Sequence, residues 1–548
     1  MILRRLYLYV VSAAALVLLA VGLTLLGATL LLFVFNDPTA NSNRPQLAIF
    51  TAMTVVALPV WGVHFWFARR FAMRDPFERA SALRRLYLYL ACLVFSIATM
   101  IAVGDALAQF LLPVLDSQTF NGLVAAQFSW AAIVFAVIFG FHFWVAQSDR
   151  AAVGEEGASG TLRRWYMYPA LLVGLLTTLV STATVLQMAL TVLPLGSVRS
   201  YTYLSWPLGL AISGTAMWGF HARVIATTHV ADDRHSTLRA IEGFLAVAVS
   251  IATALIGASQ ILYYALARLL GVSHPGGTSG NIWADAAGPA SQLMVFGVAW
   301  FLIQRRLARD AASQEADRQA GVRHLYTNLA SLVSLAVWAV GAGGLLWNLF
   351  EQLEAPVIGV PAGDWKDPVS LWVTLLVVGA TVWVAHWRPS PWAADRQSLS
   401  RKLYVWAALL GSILAVLGGG VGMINALLRQ LFSSKPTLQA ASNLDFGHYL
   451  AVIVVAAGVG VYHWRVLRAD AAARPARVAA QEAATRTVAV ASEAARPSAA
   501  AGVIGPHSRR YSLVVTDATD DDIHQALSSL PPLASYKLTP TEQTVDGR

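Results

Sequence analysis

Apolar residues along this chain fall in long, nearly unbroken blocks instead of the three-and-four spacing of a surface helix. Residues 6–35, 86–114 and 404–428 each run past the roughly 20 residues a helix needs to cross a hydrocarbon core. Polar positions collect between the blocks in two kinds of connector. One kind is rich in turn formers and poor in charge, as at Asn36-Asp37-Pro38 and His274-Pro275-Gly276-Gly277. The other is dense in arginine: Arg69, Arg70, Arg74, Arg79, Arg84 and Arg85 after the second block, Arg305, Arg306, Arg309, Arg318 and Arg323 farther on. This alternation predicts an all-α membrane protein of about twelve transmembrane helices. The excess of arginine in alternate connectors predicts both termini on the cytoplasmic side, N-in and C-in.

The blocks repeat. Arg4-Arg5-Leu6-Tyr7 returns as Arg84-Arg85-Leu86-Tyr87, Arg163-Arg164-Trp165-Tyr166, Arg239-Ala240-Ile241-Glu242, Arg323-His324-Leu325-Tyr326 and Arg401-Lys402-Leu403-Tyr404. A second string closes each unit: Trp61-Gly62-Val63-His64, Phe139-Gly140-Phe141-His142, Trp218-Gly219-Phe220-His221, Phe296-Gly297-Val298-Ala299, Trp383-Val384-Ala385-His386 and Gly460-Val461-Tyr462-His463. A period of about 80 residues, far above the noise of chance similarity, means tandem structural units. The expected units are six helical hairpins over 1–80, 81–160, 161–234, 235–320, 321–398 and 399–468, the fourth divergent. A flexible tether over 469–509, rich in Ala, Arg, Glu and Pro, then leads to a small cytoplasmic module over 510–548. Within it Tyr511 opens a strand-like run, and residues 510–540 are read as a segment that docks on a protein partner or on its own bundle, being too short to fold alone.

In an antiparallel hairpin the tyrosine of the first helix and the histidine of the second come to one membrane depth. The fourth unit has lost both together, at Glu242 and Ala299. That joint loss predicts contacting pairs: Tyr7–His64, Tyr87–His142, Tyr166–His221, Tyr326–His386 and Tyr404–His463. The competing reading is an interfacial belt, in which Tyr and Trp sit at headgroup level and Arg snorkels to it. A belt explains the residue types but not the fixed register of a costly histidine, which a structural hydrogen bond does explain.

Composition supports the membrane class: 57% of the 548 residues are hydrophobic and only 13% charged. The net charge of +9 does not imply nucleic acid, because the basic residues flank apolar blocks instead of forming a stripe with interleaved aromatics. The lone cysteine, Cys92, excludes an intrachain disulfide and any cysteine metal site. The first apolar block is far longer than the 7–15 residues of a signal-peptide core, so it is expected to stay as a spanning helix. Gly-rich phosphate loops, HExxH and nucleophile elbows do not occur, which argues for a non-enzymatic protein with no metal and no cofactor. Intramembrane polar residues Asp105, Gln109, Gln187, Gln260, Asn348 and Asn425 keep transport of a small solute open as an alternative. A third reading takes the repeated histidines as sites for haem or quinone.

The Arg-Arg-Leu-Tyr-x-Tyr helix starts, each followed by a long Ala/Leu/Val/Gly stretch, resemble an uncharacterised bacterial integral-membrane domain of unknown function that often occurs in tandem. The resemblance spans most of residues 1–468 and is clearest in the first three units. It implies a multi-pass protein of the bacterial inner membrane and implies no activity. The expected role is therefore a membrane scaffold or interaction protein, in contact with lipids and self-associating as a homo-oligomer.

Overall fold

The computed structural model describes residues 2–116, 118–155, 157–192, 204–228, 233, 236–311, 317–358, 361, 363–387, 399–432 and 446–494. These residues are helical almost throughout, with no strand among them. Twelve long helices follow one another: α1 Ile2–Val34, α2 Arg44–Arg74, α3 Ala82–Leu115, α4 Gly122–Val153, α5 Ala158–Val192, α6 Ser205–Thr228, α7 Thr237–Leu269, α8 Ile282–Ala311, α9 Asp317–Ile358, α10 Lys366–His386, α11 Leu399–Phe432 and α12 Phe446–Ala494. The chain divides into two units, Met1–Arg474 and Pro475–Arg548. In the second unit the described residues are the end of α12, so part of the stretch expected as a tether is helical. The docking segment over 510–540 lies outside the described residues.

Eleven of the helices are long and apolar enough to cross a membrane. The chain is thus of the multi-pass class. Among the described residues, α6 is the long helix that falls short of that composition. Its sequence explains why: Gly209, Ser213, Gly214 and His221 are small or polar positions that face other helices. Gly209, Ser213, Gly214 and His221 are buried, whereas the lipid-length helix α11 exposes Leu410, Leu417 and Val421 at 59%, 59% and 68%. A helix that hides its polar positions against neighbours does not need a high mean hydropathy to lie in a bilayer.

Packing follows one rule through the first unit. Each odd-numbered helix packs against the helix after it, and odd helices contact their odd neighbours: α1 with α3, α3 with α5, α5 with α7, α7 with α9, α9 with α11. The even helices fill the seams, α4 reaching α1, α6 reaching α3, α8 reaching α5 and α10 reaching α7. Each repeat therefore touches its sequence neighbours, as in a solenoid. Close approach relies on glycine where backbones meet. A methyl at Gly209 on α6 would meet the Gly104 carbonyl oxygen on α3, and one at Gly174 on α5 would lie 2.8 Å from the Trp218 amide nitrogen on α6. A cluster of buried apolar residues lies at the tyrosine–histidine end of the first three repeats, around Leu88, Cys92, Phe95, Tyr166, Met167 and Leu171. Cys92 is fully buried there and acts as a small apolar residue.

Candidate functional site: a buried polar layer at the repeat ends

The repeated tyrosine stands within about the first three turns of its helix, and the repeated histidine lies in the later half of the next helix, except in α12, where His463 falls before the midpoint of Phe446–Ala494. Four pairs meet at hydrogen-bond distance: Tyr7 Oη to His64 Nε2 at 3.1 Å, Tyr87 to His142 at 3.0 Å, Tyr166 to His221 at 2.9 Å and Tyr404 to His463 at 2.9 Å. The fifth pair, Tyr326 and His386, has ring centroids 6.0 Å apart in an edge-on arrangement, and no hydrogen bond joins the two residues.

The other ring nitrogen settles the histidine tautomer. Nδ1 of His64, His142, His221, His386 and His463 lies 2.7–2.9 Å from the carbonyl oxygen of Val60, Ile138, Met217, Val382 and Val459, four residues earlier in the same helix. A carbonyl only accepts, so Nδ1 carries the proton and Nε2 presents its lone pair. The tyrosine hydroxyl then donates to Nε2. Two of these tyrosines also accept from the preceding repeat, Trp61 Nε1 donating to Tyr87 at 2.9 Å and Trp383 Nε1 to Tyr404 at 2.9 Å. The result is a directional chain, indole N–H to phenol to imidazole to backbone carbonyl, that crosses a repeat boundary. With Nε2 accepting from tyrosine in four repeats, those histidines offer no free lone pair to an iron. Among the described residues no cluster of three or more His, Cys, Asp or Glu is placed to hold a metal ion.

Arginines ahead of the tyrosines form a second set of contacts, and in the second and third strings three of them are buried instead of snorkelling. Arg84 and Arg85 are 1% and 0% exposed and Arg163 is 2% exposed. Each meets a carboxylate: Arg5 reaches Glu78 at 2.7 Å with Arg4 on the same group, Arg84 reaches Asp149 at 2.6 Å, Arg163 reaches Asp233 at 2.8 Å and Arg401 reaches Asp470 at 2.9 Å. Several acids are shared between repeats. Asp149 also receives Arg79 at 2.8 Å, and Glu155 receives Arg85 from the second repeat at 3.2 Å and Arg163 from the third at 3.1 Å. Gly154, at φ +68°, makes the turn that delivers Glu155; its carbonyl accepts from Arg85 at 3.3 Å. The second tyrosine of the first three strings joins the same layer: Tyr9 lies 3.4 Å from Arg84, Tyr89 donates to Glu155 and Tyr168 donates to Asp233 at 3.0 Å. Buried charges persist only when paired; each arginine and acid named here has an ionic partner, while Arg85 Nε, Arg163 Nε and Nη1 and Glu155 Oε2 make no hydrogen bond.

In the fourth repeat a different contact stands in place of the tyrosine–histidine pair. Glu242, 3% exposed at the tyrosine position, receives Arg306 of the following helix at 3.2 Å. The missing phenol and imidazole have thus been exchanged for an ion pair across the same two helices.

The intramembrane polar residues are not gathered into one site. Asp105 and Gln109 stand one turn apart on α3 and are 9% and 7% exposed; Asp105 Oδ1 is buried with no hydrogen-bond partner. Asn348 is 7% exposed on α9, while Gln187, Gln260 and Asn425 are exposed on α5, α7 and α11. Asp116, which the sequence reading did not single out, accepts from Leu204 N at 3.0 Å and from Ser205 N at 3.2 Å, and so caps the start of α6.

The carboxylates Glu78, Asp149, Glu155, Asp233 and Asp470 were the site residues that sequence reasoning missed. One signal was available: an acid stands seven residues after the histidine in the second and sixth repeats, at Asp149 and Asp470. The family model for a domain of unknown function, DUF5671, matches residues 5–132, 122–198 and 324–458. The chain belongs to that family, in tandem copies. No curated protein and no solved structure matches it.

Proposed function

We propose that this DUF5671 protein is a non-enzymatic scaffold of the bacterial inner membrane, built from six helical hairpins with both termini in the cytoplasm. One observation carries the reading: four of the five tyrosine–histidine pairs, and the buried arginines with their acids, are joined to one another. Tyrosines, histidines, arginines and their acids close a buried network at the ends of successive repeats. Catalytic groups, by contrast, keep an atom free for substrate. Arginine-rich links on the side of this layer support its cytoplasmic placement. The broad exposed apolar faces, such as that of α11, suit lipid and a second copy of the chain. Extraction of the full chain into native-lipid nanodiscs, followed by particle-mass measurement, tests the assignment. A defined assembly larger than one chain supports it; single chains that move solute in proteoliposomes overturn it.

Transport stands as the second reading because of Asp105, whose buried Oδ1 lacks a partner. Solute flux that is abolished by Asp105→Asn, with the variant still folded, establishes that reading.

A further inference from the structure

Between α7, α9 and α10 runs an apolar groove of about 560 Å³, within the about 300–1,000 Å³ typical of small-molecule sites. Along α7 it extends from Ala248 to Tyr263, about 22 Å at 1.5 Å per residue. Its walls are aliphatic, with Leu255, Val333 and Val378 among them. At one end stand Tyr326 and His386, the one tyrosine–histidine pair that is not closed. The four bonded pairs hold their rings 5.4–5.5 Å apart; this pair stands at 6.0 Å. The groove on the other side of α9, between α9 and α11, has no such head, because Tyr404 and His463 are bonded to each other and do not line it.

The chemistry of the open pair is specific. His386 Nδ1 donates to the Val382 carbonyl at 2.9 Å, so Nε2 is an acceptor. Tyr326, its ring stacked on Phe244 with centroids 5.8 Å apart, both donates and accepts. A hydroxyl in the groove beside the two side chains, within reach of both, donates to His386 and accepts from Tyr326. An aliphatic tail on that hydroxyl's ring then fills a groove of matching length. We propose that the groove binds a membrane quinol, its phenolic hydroxyl held by Tyr326 and His386 and its isoprenoid tail lying along α7. This goes beyond the scaffold reading and involves no electron transfer: the quinol is a bound lipid that replaces the missing bond of the fifth repeat.

The test uses the full-length protein, purified without oxygen and incubated with a benzoquinol carrying a short isoprenoid tail. Retention after repurification is read by chromatography of extracted lipid, with the oxidised quinone and phosphatidylglycerol as parallel arms. One quinol per chain is expected, and the quinone, lacking the hydroxyl that satisfies His386, should be retained about two- to tenfold less well, the range one hydrogen bond commands. Tyr326→Phe and His386→Leu should each lower quinol retention by a similar factor without changing the melting temperature, and Ala330→Trp, which fills the groove, should abolish it. Equal retention of quinol and quinone, unaltered retention in both head variants, or displacement by phosphatidylglycerol alone would overturn the assignment and leave only a lipid-facing surface.

Discussion

Replacing Asp149 by leucine should be among the most damaging single changes in the chain. Asp149 receives Arg84 at 2.6 Å and Arg79 at 2.8 Å, and Arg84 is only 1% exposed. Arg79, at 16% side-chain exposure, has a route to solvent along its stem. Arg84 has none; its remaining contact is Tyr9 at 3.4 Å. Removing one partner of a buried ion pair costs about 3–5 kcal/mol, because the other charge is left buried and uncompensated. Removing both charges together is far cheaper, since desolvation of each disappears with the charge. The order of stability should therefore be wild type, then Arg84→Met with Asp149→Leu, then Asp149→Leu alone. Unfolding of the purified protein by SDS in mixed micelles, followed by far-ultraviolet circular dichroism, gives the three midpoints. If Asp149→Leu lies within about 1 kcal/mol of wild type, the size of an exposed pair, or if the double variant is the least stable, the buried-pair account is wrong.

Other outcomes follow from single contacts. Gly209→Val should separate α6 from α3, because its new side chain meets the Gly104 carbonyl oxygen, and should lower stability by about 1–3 kcal/mol, as overpacking does; midpoint shifts in the same assay check it. Trp61→Phe keeps the aromatic packing on Phe65 but loses the bond to Tyr87, for about 0.5–1.5 kcal/mol; a loss no smaller in a Tyr87→Phe background would contradict the bond. In the fourth repeat, Arg306→Gln should cost more than Glu242→Gln, since it takes a counter-charge from the Glu242 carboxylate, only 3% exposed, whereas Arg306, 36% exposed at its side chain, can turn to solvent; thermal melting of the two variants ranks them.

The sequence made the period, the two strings and their shared depth legible, because apolar blocks and aromatic residues recur in register. The tyrosine and histidine were visible for the same reason, each fixed by its place in a helix turn. Their acidic partners were not. Glu78, Asp149 and Asp233 lie 74, 65 and 70 residues after Arg4, Arg84 and Arg163, in links of varying length where an acid resembles any solvated residue. Arginine before an apolar block reads as a topology signal, and burial at 0–2% for Arg84, Arg85 and Arg163 follows only once neighbouring repeats close over it. The close packing of α6 was not legible, because its glycines meet other backbones only on α3 and α5. Gln187, Gln260 and Asn425 were grouped with Asp105 by depth alone, and three helices that face different ways separate them.

The central claim is that the repeated tyrosine and histidine pin adjacent helices together and perform no chemistry. A double-mutant cycle on the most enclosed pair, Tyr166→Phe and His221→Leu, measures that directly, since each side chain is 1% exposed and their atoms stand 2.9 Å apart. The account predicts a coupling energy of about 0.5–1.5 kcal/mol between the two changes; fully additive losses would contradict it.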